Sequence, residues 1–122
     1  MSGGKLTTHV LDVSCGRPAG GMKVELRRQR EDGSWEFLQA AETNGDGRLD
    51  APLLAGGALQ TGQYELLFHA GAYFRRQGQT RSDAEFPFLD EVPIRFGIED
   101  PQSHYHVPLL AAPGGYSTYR GS

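Results

Sequence analysis

A single cysteine, Cys15, is present among 122 residues, so no internal disulfide can form and nothing demands an oxidising compartment. Cys15 lies in the turn-like stretch Ser14-Cys15-Gly16-Arg17-Pro18. No neighbour there would lower its pKa, so it reads as a loop thiol rather than a nucleophile. Apolar runs long enough for a signal peptide or a membrane span are also missing, and Met1 to Lys5 leads straight into a strand-like segment. A soluble, cytoplasmic protein is the expectation. Runs of lysine and arginine are missing too. With a formal net charge of -3, the chain has no phosphate-tracking stripe, which argues against a nucleic-acid partner. The one basic cluster, Arg27, Arg28 and Arg30, is flanked by Glu25 and Glu31 and reads as a solvated strand face. Repeats, low-complexity tracts and internal linkers do not occur, and there is no Gly-x-Ser-x-Gly elbow to seat a serine nucleophile.

What is present is an ordinary globular composition, 38% hydrophobic and 22% charged, in a chain of single-domain length. We read residues 1–122 as one domain. Strand-like segments fall at residues 6–13, 22–28, 35–40, 62–69, 92–98 and 104–110, with a short final one at 116–119. Turn formers separate them, dense at residues 16–21, with Asp32-Gly33 and the Asn44-Gly45-Asp46-Gly47 run further on. Residues 70–77 suit one short helix. Pro93 and Pro108 fit a sheet edge or a bulge better than a sheet centre. Turn signals at intervals of roughly ten residues predict an all-β, antiparallel sandwich of seven or eight strands with one short helix. Fold alone does not give function.

Four histidines, His9, His69, His104 and His106, are the first candidates for chemistry. The period-two geometry of a strand places Thr7, His9 and Leu11 on one face of the first segment. It likewise places His104 and His106 on one face of a later one, with Pro108 and Leu110, while Tyr105, Val107 and Leu109 look like core. The His104-x-His106 pair lacks the third and fourth ligands a zinc site needs. No metal and no cofactor are expected.

Three stretches in order then decide the matter: Leu6-Thr7-Thr8-His9-Val10-Leu11-Asp12, His104-Tyr105-His106-Val107-Pro108-Leu109-Leu110, and the terminal Tyr116-Ser117-Thr118-Tyr119-Arg120-Gly121-Ser122. Together they resemble the 5-hydroxyisourate hydrolases, also called transthyretin-related proteins, over essentially the whole chain. The terminal Tyr-Arg-Gly-Ser is the most specific piece, because it separates the hydrolases from transthyretin itself. The resemblance implies a transthyretin-like fold and a homotetramer with its site at the dimer–dimer interface. There polar and titratable groups replace the lining of a hormone-binding channel. Carried over position by position, the catalytic residues are His9, Arg48 and His106. The substrate-binding set is His9, Arg48, Ser117, Tyr119, Arg120 and Ser122. Ser117 and Tyr119 are expected on one face by strand parity, and His104 at the mouth of the site.

The implied reaction opens the six-membered ring of 5-hydroxyisourate, an intermediate of urate degradation, by attack of water on a ring amide carbonyl. Such a step needs an activated water, a stabilised oxyanion and a proton for the departing nitrogen. Imidazoles with an ordinary pKa of about 6.5 suit the first and last tasks. The fixed donor fork of Arg48 suits a carbonyl pair or a developing negative charge, and Tyr119 offers a ring face and a hydroxyl to a flat heterocycle. The alternative is a transthyretin-like carrier that binds a small molecule without chemistry, for which the lining looks too polar.

Overall fold

A computed structural model describes residues 3–79 and 85–121 and arranges them as two β-sheets around a shared core. The strands are β1 (Lys5–Asp12), β2 (Arg17–Pro18), β3 (Lys23–Gln29), β4 (Trp35–Glu42), β5 (Leu54–Ala55), β6 (Gly62–His69), β7 (Glu91–Ile98), β8 (Tyr105–Ala112) and β9 (Gly115–Thr118). A helix, α1 (Ala70–Arg76), follows β6. The all-β sandwich with one short helix expected from the sequence is what forms. Two of the nine strands, β2 and β5, are only two residues long, too short to leave a periodic signal.

One sheet runs β2-β1-β8-β9, with β5 also paired to β1; the other runs β4-β3-β6-β7. Every pairing is antiparallel except β1 with β8, which is parallel from Leu6 opposite Tyr105 to Asp12 opposite Ala111. A parallel pair needs a long crossover, and here the whole second sheet supplies it. In β1, Leu6, Thr8, Val10 and Asp12 are buried while Thr7, His9 and Leu11 are half-exposed. In β8, Tyr105, Val107, Leu109 and Ala111 turn inward. The inward faces meet Leu26, Tyr64, Leu66, Phe68 and Phe74 of the second layer. Each large side chain so buried contributes about 1.5–3 kcal/mol. The outward face of the β1–β8 pair is thereby left free for other work.

Polar anchors lock the layers together. Asp12, 1% exposed, accepts from the Ser14 amide at 3.0 Å, the Ser14 hydroxyl at 2.5 Å and the Tyr73 hydroxyl at 2.9 Å. It thus ties the end of β1 to α1. Burial, together with that bond to Asp12, pushes the Tyr73 phenol up to about 12. On the outer face of the second sheet, buried Glu65 is held by Arg27 at 3.4 Å and Arg95 at 3.0 Å, and Arg27 also pairs with Glu25.

The two strand prolines fare differently. Pro93 lies in β7, an edge strand, as expected. Pro108 lies in β8, between β1 and β9, a position that sequence reasoning disfavours. Its carbonyl accepts from the Thr118 hydroxyl at 2.7 Å, so the missing N–H also faces the β9 side. The β9 ladder ends at Leu109 opposite Thr118, so the missing N–H falls just past the end of that ladder.

Candidate active site

The side of β1 away from β8 is closed by three short segments rather than by one strand. β5 covers Lys5 and Leu6, and β2 covers Leu11 and Asp12. Between them a bridge pairs His9 with Arg48, and the Val10 amide donates to the Gly47 carbonyl at 2.8 Å. The turn that delivers Arg48 is organised by Asn44. Its side-chain oxygen accepts from the amides of Asp46 at 2.9 Å and Arg48 at 3.2 Å, and its amide donates to Asp50 at 2.9 Å. Gly47 closes the turn at φ 74°, a left-handed conformation that costs glycine nothing.

That turn also sets His9. His9 Nε2 lies 3.0 Å from the Asp46 carbonyl oxygen. A carbonyl only accepts, so Nε2 carries the proton and the neutral ring keeps its lone pair on Nδ1.

His106 is held from two sides. In the parallel register Thr7 stands opposite it, and the Thr7 hydroxyl lies 2.8 Å from His106 Nδ1. On the other side the Gly121 amide donates to the His106 carbonyl at 2.8 Å. A Cβ at residue 121 would stand 2.6 Å from His106 Cδ2, so only glycine lets the chain pass this close. Burial holds the His106 pKa below the usual 6.5, and the charge of Arg48 and then His9 push it the same way. All three favour the neutral imidazole.

A depression of about 420 Å³ opens on this face, lined among others by Lys5, Thr7, Arg48, Asp50, His104 and His106. His9 adjoins it through Arg48. The structure thus brings together His9, Arg48 and His106, with His104 on the same wall. Ser117 pairs with Leu110 in β9 and is exposed. Tyr119 and Arg120 are not brought to this depression. They line a second cleft of about 260 Å³ with Ile94, Phe96, Tyr105 and Val107. There the Arg120 guanidinium lies 4.3 Å over the Tyr105 ring and donates to the His104 carbonyl at 3.1 Å. Beyond β9 the chain stays alongside β8, with Gly121 bridged to His106. Ser122 lies outside the described residues.

Sequence reasoning missed two contributors. Thr7 was visible as a face-mate of His9, but its approach to His106 depends on the parallel register. Asn44 read only as a turn former. Among the described residues, no group of three or more His, Cys, Asp or Glu is arranged to hold a metal.

Two imidazoles, a guanidinium and a concave wall carrying charged side chains are the parts required for water-assisted attack on a carbonyl. Comparison with known proteins agrees in kind. The model of the HIUase/Transthyretin family matches residues 6–121. A curated protein of Halalkalibacterium halodurans named 5-hydroxyisourate hydrolase is 59% identical over 119 residues, covering 98% of each chain. Among solved structures, an (S)-allantoin synthase superposes with a TM-score of 0.89 at 46% identity. The alignment covers 98% of this chain but only 44% of that one. Sea bream transthyretin in complex with thyroxine gives a TM-score of 0.84 at 25% identity, covering 96% of this chain and 94% of that one.

Proposed function

Because the chain belongs to the HIUase/Transthyretin family, we propose that it hydrolyses 5-hydroxyisourate, opening the ring by attack of water on an amide carbonyl. The observation that carries the reading is the placement of His9, Arg48 and His106 together beside a depression lined with charged side chains. The imidazoles supply proton transfer and hydrogen-bond donation, and Arg48 binds the substrate's carbonyl oxygens. The product is the ring-opened 2-oxo-4-hydroxy-4-carboxy-5-ureidoimidazoline. A carrier role is the weaker reading, since Lys5, Arg48, Asp50, His104 and His106 place charged and titratable groups in this wall among its apolar residues, more than a hydrophobic ligand needs.

We place the site at an interface between subunits of a homotetramer. Two features support this. Tyr119 and Arg120 of one chain line a different cleft from Arg48 and His106, which a neighbouring copy could bring to the same substrate. β7 and β9 are each paired on one side only among the described residues, which leaves sheet edges suited to symmetric pairing. The setting is cytoplasmic: Cys15 is an exposed free thiol, as a reducing compartment allows. No helix of the described residues is long and apolar enough to cross a membrane.

The test generates 5-hydroxyisourate in situ with urate oxidase and follows its absorbance decay. The protein should accelerate the decay, and His9→Asn and His106→Asn should each lower turnover by roughly 10² to 10⁴. Near-parental rates in both variants would remove the imidazoles from the mechanism. Unchanged decay with the folded parent would remove the hydrolase reading.

A further inference from the structure

The two histidines are chemically equivalent as residues but not as placed. His9 is fixed by an acceptor, the Asp46 carbonyl, which settles where its proton sits. His106 is fixed by a hydroxyl, which is able to donate or accept, and the surroundings decide between the two. The Thr7 hydroxyl has one hydrogen-bond partner among the described residues, His106 Nδ1 at 2.8 Å. If Nδ1 carried the proton, that hydroxyl would accept from the ring and leave its own hydrogen to solvent, since it makes no other hydrogen bond to a described residue. Donation to Nδ1 satisfies both groups with one bond. The neighbouring threonine behaves the same way, Thr8 donating to the Val107 carbonyl of β8 at 2.6 Å.

The ring's orientation follows. Nδ1 faces Thr7 on β1 and Cδ2 faces Gly121 on the opposite side. Cε1 and Nε2 therefore form the edge that projects from the sheet, on the wall of the depression.

We propose that Thr7 is a positioning residue whose hydroxyl holds His106 in the tautomer bearing its proton on Nε2, so that His106 offers an N–H beside Arg48 to the oxygen that becomes negative. This rests on the hydrolytic reading of the site and divides the labour within it. His9 Nδ1 takes a proton from water as the new C–O bond forms. The carbonyl oxygen, now an oxyanion, is held by the His106 Nε2–H and the Arg48 guanidinium. As the ring C–N bond breaks, the carbonyl re-forms and the proton on His9 passes to the departing nitrogen. One water is consumed, His9 returns to its neutral form, and His106 keeps its proton throughout.

The decisive measurement is the long-range ¹H–¹⁵N spectrum of the full chain labelled at histidine nitrogens, at a pH where His106 is neutral. The His106 signals are identified by their loss in His106→Gln. The expected pattern is a protonated Nε2 and an unprotonated Nδ1. In Thr7→Val, which keeps the shape and removes the hydroxyl, that pattern should collapse toward a mixture of tautomers. kcat should fall about 10- to 100-fold, the usual cost of losing the partner that orients a functional histidine, and Thr7→Ser should restore both. A protonated Nδ1 in the parent, or an unchanged pattern in Thr7→Val, would overturn the proposal. The spectrum is recorded without substrate, so it reads the tautomer whether or not the chain hydrolyses 5-hydroxyisourate, and failure of the one reading is distinct from failure of the other.

Discussion

Gly47→Ala is the substitution that most directly tests how this chain builds its site. A Cβ at residue 47 would stand 2.3 Å from the Val10 carbonyl oxygen, 3.1 Å from Pro18 Cβ and 3.2 Å from the Ala19 amide. Two of these are backbone atoms and cannot swing aside. The residue also sits at φ 74°, which costs about 1–2 kcal/mol once a Cβ is present. Relief requires the turn to lift off β1, breaking the Val10 amide to Gly47 carbonyl bond. Val10 is fully buried, and stranding its donor costs about 1–3 kcal/mol more. The sum of about 2–5 kcal/mol is a large fraction of a typical domain's stability. For a domain of this size it translates to a melting temperature lower by roughly 8–20 °C. Lifting the turn also withdraws the Asp46 carbonyl from His9 and moves Arg48, so turnover should fall even at temperatures where the variant is folded. Gly45→Ala is the internal control, because a Cβ there meets nothing within 4 Å and should leave melting and rate unchanged. Parental melting in Gly47→Ala would mean the turn does not rest on β1 as described.

Two further outcomes follow from the polar anchors. Asn44→Ala removes the acceptor for the Asp46 and Arg48 amides and should cost about 1–2 kcal/mol in thermal unfolding while lowering kcat more than it raises KM, since it loosens His9 and Arg48 together; a parental rate would show that the turn keeps its shape without Asn44. Burial alone would raise the Asp12 pKa, but hydrogen bonds from Ser14 and Tyr73 outweigh it and hold the carboxyl below 3.8. A folded pKa below the unfolded one gives stability that is present above about pH 3.8 and lost as pH falls through the folded value. Acid titration of stability should therefore flatten in Asp12→Asn below that pH, and an identical acid limb in parent and variant would exclude the linkage.

The elements that carry the core announced themselves in the sequence, and those that assemble the site did so less clearly. Gly62–His69 was legible because its residues alternate at the period of a strand, and the helix after it because the stretch beyond Gly71 lacks turn formers. Alternation also placed His9 and His106 on outward faces. What alternation does not carry is strand direction or neighbour, so the parallel register that sets Thr7 against His106 had no local signal. The two-residue strands β2 and β5 and the bridge at Arg48 are dictated by what lies across from β1.

The electrostatic coupling inside the site is open to a direct measurement. Burial is the main reason the His106 pKa lies below 6.5, and the positive charge of Arg48 is the next. Removing that charge with Arg48→Gln leaves the burial in place, so the His106 midpoint should move upward yet stay below 6.5. The Cε1 proton shift of His106, followed by NMR against pH in parent and variant, reads this without substrate. A depressed histidine pKa also makes the unfolded chain the better proton binder. The stability His106 contributes is complete above about pH 6.5 and is lost as pH falls through its folded pKa. Arg48→Gln should narrow that window, and the acidic limb of kcat/KM that reports His106 should move up with the same midpoint. If the NMR midpoint does not move, the guanidinium is not close enough to His106 for the two to share one oxyanion, and the assignment of both donors to the same oxygen fails with it.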